Sequence, residues 1–386
     1  MASKYTEFFA RITLVLFSFF LIYYFWVGLS APVVEIDSIH YHIPVAKSIL
    51  DGTFLKPNYW SPFGYFPASN EIILAFFILL KIPLGLFNWF GVSFLALALY
   101  GLGRKLFANQ STAIIYAVSF ATLNGVLRWI NVQTVDIWLA VFYTAFLAKI
   151  VKPLNKDSDY LLFGIFAGMV VGGKYTGVPF ALFTFVLFWK NYLRRLNFRR
   201  FLCTLVPVLA LGGTWYFRNF AVKNNPFFPL HFWFLHGFEI YLNHQTWRSV
   251  LLYPKSIIDA FISEYMGWVL LPLLSVYYLA KKGMEVLPTK LIVLGLMNLF
   301  IYLFLPSTPN YQTHVSTWRY TYPAFIPLMA AVFLYFEKLK KVELLALVTL
   351  ANIAVLLIRP YHPKLLFLLV PALYFFYSKL SLRAKT

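Results

Sequence analysis

The sequence predicts an all-α polytopic membrane protein, organised as a single transmembrane domain over residues 1–386. Hydrophobic residues make up 61% of the chain and charged residues only 12%, whereas an ordinary soluble domain carries about 25% charged residues. Apolar runs of about 17 to 25 residues recur along the chain, each long enough to cross a hydrocarbon layer of roughly 30 Å as a helix. So few charges cannot cover a soluble protein of this size, and the membrane is therefore the predicted solvent for most of the chain.

Basic residues predict the topology. The chain has 33 Lys and Arg against 14 Asp and Glu, and in membrane proteins such an excess collects in cytoplasmic loops. Basic clusters lie at 104–105, 149–156, 190–200, 281–282 and 338–341. Two apolar runs separate each cluster from the next, so the connections between the clusters are predicted to face outward. The expected partners of the basic residues are therefore membrane lipids, and the basic excess requires no nucleic-acid partner.

The start of the chain sets a parity condition. Residues 1–11 and the cluster at 104–105 are both predicted to be cytoplasmic, although three apolar runs lie between them. The weakest run, 71–86, contains Lys81 and Pro83, so we predict that it lies in the interface or dips in and out of the membrane, and does not cross. About twelve crossings follow, within a range of 11 to 13, near residues 8–29, 88–104, 110–127, 134–151, 159–174, 176–190, 200–217, 262–280, 288–305, 320–336, 342–358 and 363–378.

Two long outward segments, 30–87 and 218–261, hold enough polar chain to build a site. The first contains interfacial helices and an acidic motif, Glu35-Ile36-Asp37, directly after the first span. Carboxylates next to hydrocarbon are costly to desolvate and indicate a function. We predict that Asp37 is a general base near the membrane surface and that Glu35 orients it, although which of the two is the base stays open. The alternative is a solvated loop in which Asp37 caps an interfacial helix.

Imidazoles follow the acids and permit a metal site as a weaker alternative. His40 and His42 with Glu35 or Asp37 provide ligands that suit a divalent metal, but side chains at positions i and i+2 diverge on a helix. No other cofactor is expected. Further along the segment, Glu71 is either a third acid of the site or an ordinary first-turn acid of a helix capped by Asn70.

Four cations also fall on the outward side, where the bias for cytoplasmic basic residues gives them no purpose: Arg128, Lys174, Arg218 and Arg319. Lys174 stands in the run Gly172-Gly173-Lys174-Tyr175-Thr176-Gly177, whose glycines would let the backbone approach a ligand. The arginines are either interfacial side chains that reach toward water or bidentate phosphate ligands. Asp136, an acid just inside a span, is either a site group or a structural partner of Arg128.

The ordered set of motifs over roughly residues 10–330 resembles the GT-C superfamily of membrane glycosyltransferases, in particular its protein-mannosyltransferase and aminoarabinose-transferase branch. The resemblance implies a polyprenyl-phosphate sugar as donor and a lipid, glycan or protein acceptor, with the active site on the extracytoplasmic face of the cell membrane. Asp37 would activate the acceptor, and Lys174, Arg218 and Arg319 would stabilise the phosphate. The other implied substrate-binding residues are His40, Tyr41, His42, Glu71, Arg128, Asp136, Tyr175, Asn219 and Tyr320.

The sequence departs from that family in two respects. The acids are spaced Glu-x-Asp, not adjacent, and no large soluble domain follows the spans, which argues against transfer of a whole oligosaccharide. Two other classes remain compatible with the chain. A secondary transporter would place its site near the midplane between two related halves, and no such halves are visible. A lipid-sugar flippase without transferase activity would tolerate the loss of Asp37.

Overall fold

The computed structural model describes residues 4–57, 62–231, 234–237, 246–280, 285–305 and 317–358. The secondary-structure elements of these residues are all helices, which confirms the predicted all-α class. The predicted last span, 363–378, lies outside the described residues.

Fourteen helices carry the labels used below. In chain order they are α1 Lys4–Ser30, α2 Ile43–Leu50, α3 Glu71–Leu79, α4 Phe87–Leu106, α5 Gln110–Ala121, α6 Asp136–Ile150, α7 Asp157–Val171, α8 Gly177–Leu193, α9 Phe198–Lys223, α10 Thr246–Leu252, α11 Pro254–Ala280, α12 Val286–Tyr302, α13 Tyr322–Lys338 and α14 Val342–Ile358. A π-helical turn, Ser38–His42, precedes α2, and a 3-10 turn, Trp318–Thr321, precedes α13.

Within the described part of the chain, four helical segments are long and apolar enough to cross a membrane: α1, Leu84–Leu106, α9 and α11. Helices α8, α12 and α14 are apolar but shorter. Length and composition thus support a membrane protein. The count of twelve crossings and the sidedness of the loops stay predictions.

The run 71–86 does not form one helix. Helix α3 has nine residues, which at 1.5 Å per residue is about 14 Å and less than half of a hydrocarbon layer. The chain turns at Lys81, whose φ is 54°, and Ile82 N–H bonds back to the Phe77 carbonyl at 2.9 Å. Pro83 then leaves the helical region with ψ of 123°. The run therefore contains no helix of spanning length, and its location in the interface stays a prediction.

Small residues let some of the helices approach closely. Gly164, Gly168 and Gly172 form a ridge at four-residue spacing on α7, ending at its C-cap. A Cβ on Gly164 would lie 2.5 Å from the Thr204 carbonyl oxygen of α9, and a Cβ on Gly168 would lie 2.8 Å from the Pro207 carbonyl oxygen. In lipid there is no hydrophobic driving force between helices, so close backbone packing at small residues is what holds them together.

Candidate active site

Four charged side chains form an alternating network at one end of the helices. The Arg319 guanidinium contacts Asp37 Oδ2 through Nη2 at 2.6 Å and Asp136 Oδ2 through Nε at 3.0 Å. The other Asp136 oxygen, Oδ1, accepts a hydrogen bond from Lys174 Nζ at 2.5 Å. One buried carboxylate therefore anchors both cations, and Arg319 joins it to the more exposed Asp37, whose side chain is 47% exposed.

Each member of the network sits where a helix begins or has just ended. Asp136 is the first residue of α6, where the positive end of the helix dipole stabilises a carboxylate. Lys174 lies between α7 and α8, Arg319 lies in the 3-10 turn before α13, and Asp37 lies between α1 and α2. Four separate connections thus meet at one point, as charged groups next to apolar helices must if they are to pair with one another.

Aromatic rings enclose the two cations. The Arg319 guanidinium lies 4.5 Å from the centre of the Trp129 ring and 5.4 Å from that of Tyr320, and Lys174 Nζ lies 4.3 Å from the same tyrosine ring. Rings at these distances attract a cation through their quadrupole. Although Arg319 is only 3% exposed, its Nη1 has no hydrogen-bond partner among the described residues. The guanidinium therefore keeps an unused donor.

A second buried pair lies beside the network. His42 Nδ1 and Glu71 Oε1 are 2.9 Å apart, and the His42 ring lies 4.2 Å from the Tyr41 ring. Burial raises the pKa of Glu71 to about 8. Burial, together with the nearby charges of Lys174 and Arg319, lowers the pKa of His42 well below its ordinary value of 6.5. Both members of the pair are therefore neutral at neutral pH.

These groups surround a cavity of about 240 Å³. Its polar lining comes from Asp37, His42, Lys174, Thr176 and Arg319, and its apolar and aromatic lining comes from Tyr41, Phe63, Phe66, Tyr175, Leu230, Leu305 and Tyr320. Among the described residues that line it, Asp37 is the only carboxylate. A concave, mostly apolar pocket with a few converging polar groups is the usual form of a small-molecule site.

Of the two acids of the Glu35-Ile36-Asp37 motif, only Asp37 lines the cavity. Glu35 does not line the cavity; its Oε2 accepts hydrogen bonds from Ser38 N at 2.6 Å and from Ser38 Oγ at 2.9 Å. It is Glu35 that caps the turn, while Asp37 makes no capping hydrogen bond. The alternative that Asp37 is a helix cap is therefore wrong, and Asp37 is free of that role.

The structure does not assemble the weaker metal alternative. Asp37 pairs with Arg319, His42 pairs with Glu71, Glu35 pairs with Ser38, and His40 is exposed to solvent. Within the described ranges, no group of three or more His, Cys, Asp or Glu side chains is placed to hold a metal ion.

Arg218 and Asn219 connect the segments 30–87 and 218–261 and do not line the cavity. Arg218 Nε and Nη2 donate to Asn219 Oδ1 at 3.0 and 2.8 Å, and Nη1 donates to the Phe54 carbonyl at 3.2 Å. Asn219 Nδ2 in turn donates to the Tyr65 carbonyl at 2.8 Å. Of the three cations predicted to share a phosphate, the structure brings Lys174 and Arg319 together, whereas the hydrogen bonds of Arg218 hold the loops around the cavity.

Arg128 pairs with a residue that the sequence reasoning missed. Its Nη1 lies 3.0 Å from Glu264 Oε1 on α11, and Glu264 is buried. The predicted structural pairing of Arg128 with Asp136 is therefore replaced by two separate pairings. The sequence did carry a signal, because Glu264 is an acid within an apolar run, the same criterion that identified Asp136.

The glycines around Lys174 serve packing and not ligand approach. The Gly172 carbonyl accepts a hydrogen bond from Ser69 N at 2.7 Å, and a Cβ on Gly173 would collide with the Asn70 side chain. A Cβ on Gly177 would collide with the Val170 carbonyl oxygen. Asn70 is buried against this loop and makes no capping hydrogen bond to α3. The loop therefore positions Lys174 by close contact with the segment before α3.

Comparisons with known proteins do not assign the chain to a family. No protein-family model, no curated protein and no solved structure matches this chain.

Proposed function

We propose that this protein is a membrane glycosyltransferase of the GT-C type, which moves a sugar from a polyprenyl-phosphate donor to an acceptor at the outer face of the membrane. One observation carries the proposal: the cavity brings one carboxylate, Asp37, next to two cations, Lys174 and Arg319. A proton acceptor beside a pair of phosphate ligands is what transfer of a glycosyl group from a lipid phosphate requires.

The reaction assigns one role to each group. The acceptor oxygen attacks the anomeric carbon, the new bond from that carbon to the acceptor oxygen forms, and the bond to the phosphate oxygen breaks. The acceptor proton goes to Asp37. The electron pair of the broken bond stays on the leaving polyprenyl phosphate, whose developing negative charge is held by Lys174 and Arg319. Atoms, protons and charges balance without a further co-reactant.

The network also explains how the charges move during the step. Before reaction, Asp37 and Asp136 balance Arg319 and Lys174, so the site is nearly neutral. When Asp37 takes up the proton, its negative charge disappears and Arg319 loses one of its two carboxylate partners. The cation is then available to the phosphate as that group becomes more negative. Interactions that strengthen as charge develops lower the barrier of the chemical step.

The remaining lining suits a sugar carried on a lipid. Tyr41, Tyr175 and Tyr320 present rings and hydroxyl groups, and Leu230 and Leu305 add aliphatic surface. Location at the outer face rests on the distribution of basic residues, because the loops of the site lack the lysine and arginine clusters of the opposite loops. A cavity of about 240 Å³ suits a single sugar better than an oligosaccharide.

The test is Asp37→Asn, which keeps an oxygen toward Arg319 and removes the proton acceptor. Purified wild type and variant are incubated with a panel of polyprenyl-phosphate hexoses and pentoses, and release of polyprenyl phosphate is measured. We expect the variant to fold and to bind the donor but to lose about 10² to 10⁴ in kcat. Asp51→Asn is the matched control, because Asp51 is exposed in the same outward segment and does not line this cavity.

Two results would contradict the proposal. If wild type consumes no member of the panel, the chain is not this kind of transferase. If well-folded Asp37→Asn, checked by thermal melting, turns over at the rate of Asp51→Asn, then Asp37 is not the base.

A further inference from the structure

The pair His42 and Glu71 has no role in the step described above, although His42 lines the cavity. The two side chains are 2% and 0% exposed and come from separate elements, the π-helical turn before α2 and the first residue of α3. Their 2.9 Å contact takes Nδ1 of the imidazole. The ring nitrogen that remains for a molecule in the cavity is Nε2.

We propose that Glu71 is a positioning residue that fixes the tautomer of His42, so that His42 Nε2–H donates a hydrogen bond to an oxygen atom of the substrate in the cavity. The inference rests on the proposed function for the identity of that substrate. The oxygen belongs either to the donor phosphate or to a sugar hydroxyl, and the experiment below separates these two sources.

Geometry and charge determine the tautomer. Four titratable or charged groups surround the pair: Lys174 and Arg319 act on His42, and Lys174, Asp136 and Tyr41 act on Glu71. Two neighbouring cations disfavour a third cation on the imidazole. Because Glu71 is wholly buried it holds its proton, and in a contact with a neutral imidazole that proton is donated to Nδ1. The single proton of the ring must then be on Nε2.

A neutral donor differs in function from the two cations. It can form a hydrogen bond to a substrate oxygen without adding to the positive charge that binds the phosphate. The ring is also in contact with the tilted ring of Tyr41, whose centre lies 4.2 Å from its own. A donor held in this way loses little conformational freedom on binding, so the hydrogen bond contributes most of its strength to affinity.

Two substitutions of Glu71 separate the positioning role from mere packing. Glu71→Gln keeps an N–H that can donate to His42 Nδ1, so the Nε2–H tautomer is retained. Glu71→Leu has a similar volume and removes the donor. We expect Glu71→Gln to bind donor within about threefold of wild type, and Glu71→Leu and His42→Gln to bind it about tenfold more weakly, the size of one neutral hydrogen bond.

Direct binding keeps the test independent of turnover. Affinities are measured for polyprenyl phosphate without a sugar and for the glycosylated donors. A tenfold loss for both ligands places the oxygen on the phosphate, and a loss for the glycosylated donors alone places it on the sugar. Histidine labelled with ¹⁵N reports the tautomer by NMR, with the His42 signal identified by its disappearance in His42→Gln. The Nε2–H form is expected in wild type and in Glu71→Gln.

The proposal is overturned if Glu71→Gln binds donor as weakly as Glu71→Leu, if Glu71→Leu binds with wild-type affinity, or if the NMR signal shows the proton on Nδ1 at neutral pH. Failure of the transferase assay with the binding pattern and the NMR signal intact would instead reject the proposed function and leave the role of Glu71 standing.

Discussion

The protonated state of Glu71 makes the stability of the fold depend on pH in a direction opposite to that of most carboxylates. Its pKa rises from an ordinary value of 4.5 in the unfolded chain to about 8 in the folded protein. Between these values the folded chain keeps the proton and the unfolded chain releases it. The free energy of unfolding therefore falls as the pH rises, and this contribution is present below about 4.5 and lost above about 8.

The magnitude follows from the size of the shift. A displacement from 4.5 to about 8, at 1.36 kcal/mol for each unit of pKa, is worth roughly 5 kcal/mol. His42 acts in the opposite direction below its ordinary value of 6.5, because the unfolded imidazole takes up a proton that the buried one refuses. In wild type the two effects oppose one another below pH 6.5. The free energy of unfolding therefore falls mainly between about pH 6.5 and about pH 8, by about 2 kcal/mol.

Glu71→Gln isolates the carboxyl group. Equilibrium unfolding in detergent micelles is measured for wild type and variant at about pH 5 and at about pH 9. The difference in free energy of unfolding between the two proteins should change by roughly 4 kcal/mol over this range, because contributions from all other groups cancel in the difference. Parallel pH dependences for the two proteins would refute the reasoning, since they would mean that Glu71 is ionised in the folded state.

Two further predictions concern packing and topology. Gly177→Ala should destabilise the protein by about 1 to 3 kcal/mol, because the added Cβ would collide with a backbone oxygen. The control is Gly101→Ala, on an exposed helix face with open space, which should be neutral or stabilising by up to about 1 kcal/mol. Both are measured by thermal melting. For topology, Cys203→Ser first removes the only native cysteine. In that background, Lys81→Cys at an exposed position should react with an impermeant thiol reagent from the outer side. Arg104→Cys, also at an exposed position, should react only after the cytoplasmic side is opened.

Each of these predictions has an outcome that contradicts it. Equal melting temperatures for the two alanine variants would mean that Gly177 does not lie in close contact with the Val170 carbonyl oxygen. Labelling of Lys81→Cys from the cytoplasmic side would mean that the run 71–86 crosses the membrane, and the parity condition would then fail.

Much of the site was predictable in composition but not in arrangement. The sequence predicts Asp37, Lys174 and Arg319 as site residues because a charge at the end of an apolar run is costly without a partner. The same criterion applied to Glu264 would have identified the partner of Arg128. The criterion does not say which acid meets which cation. For this reason it places Arg218 among the phosphate ligands, although the hydrogen bonds of Arg218 hold the loops together.

The sequence by itself determined the all-helical class of fold, and it predicts the side of the membrane on which the unusual residues fall. Apolar runs of spanning length predict helices because lipid leaves no other partner for backbone hydrogen-bonding groups, and basic clusters predict topology because they resist transfer across the membrane. Both signals are local. Only the tertiary structure decided the pairings, since Asp37 and Arg319 are separated by 282 positions in the chain and His42 and Glu71 by 29. Contacts between residues so far apart depend on how the helices pack, and no local pattern encodes that packing.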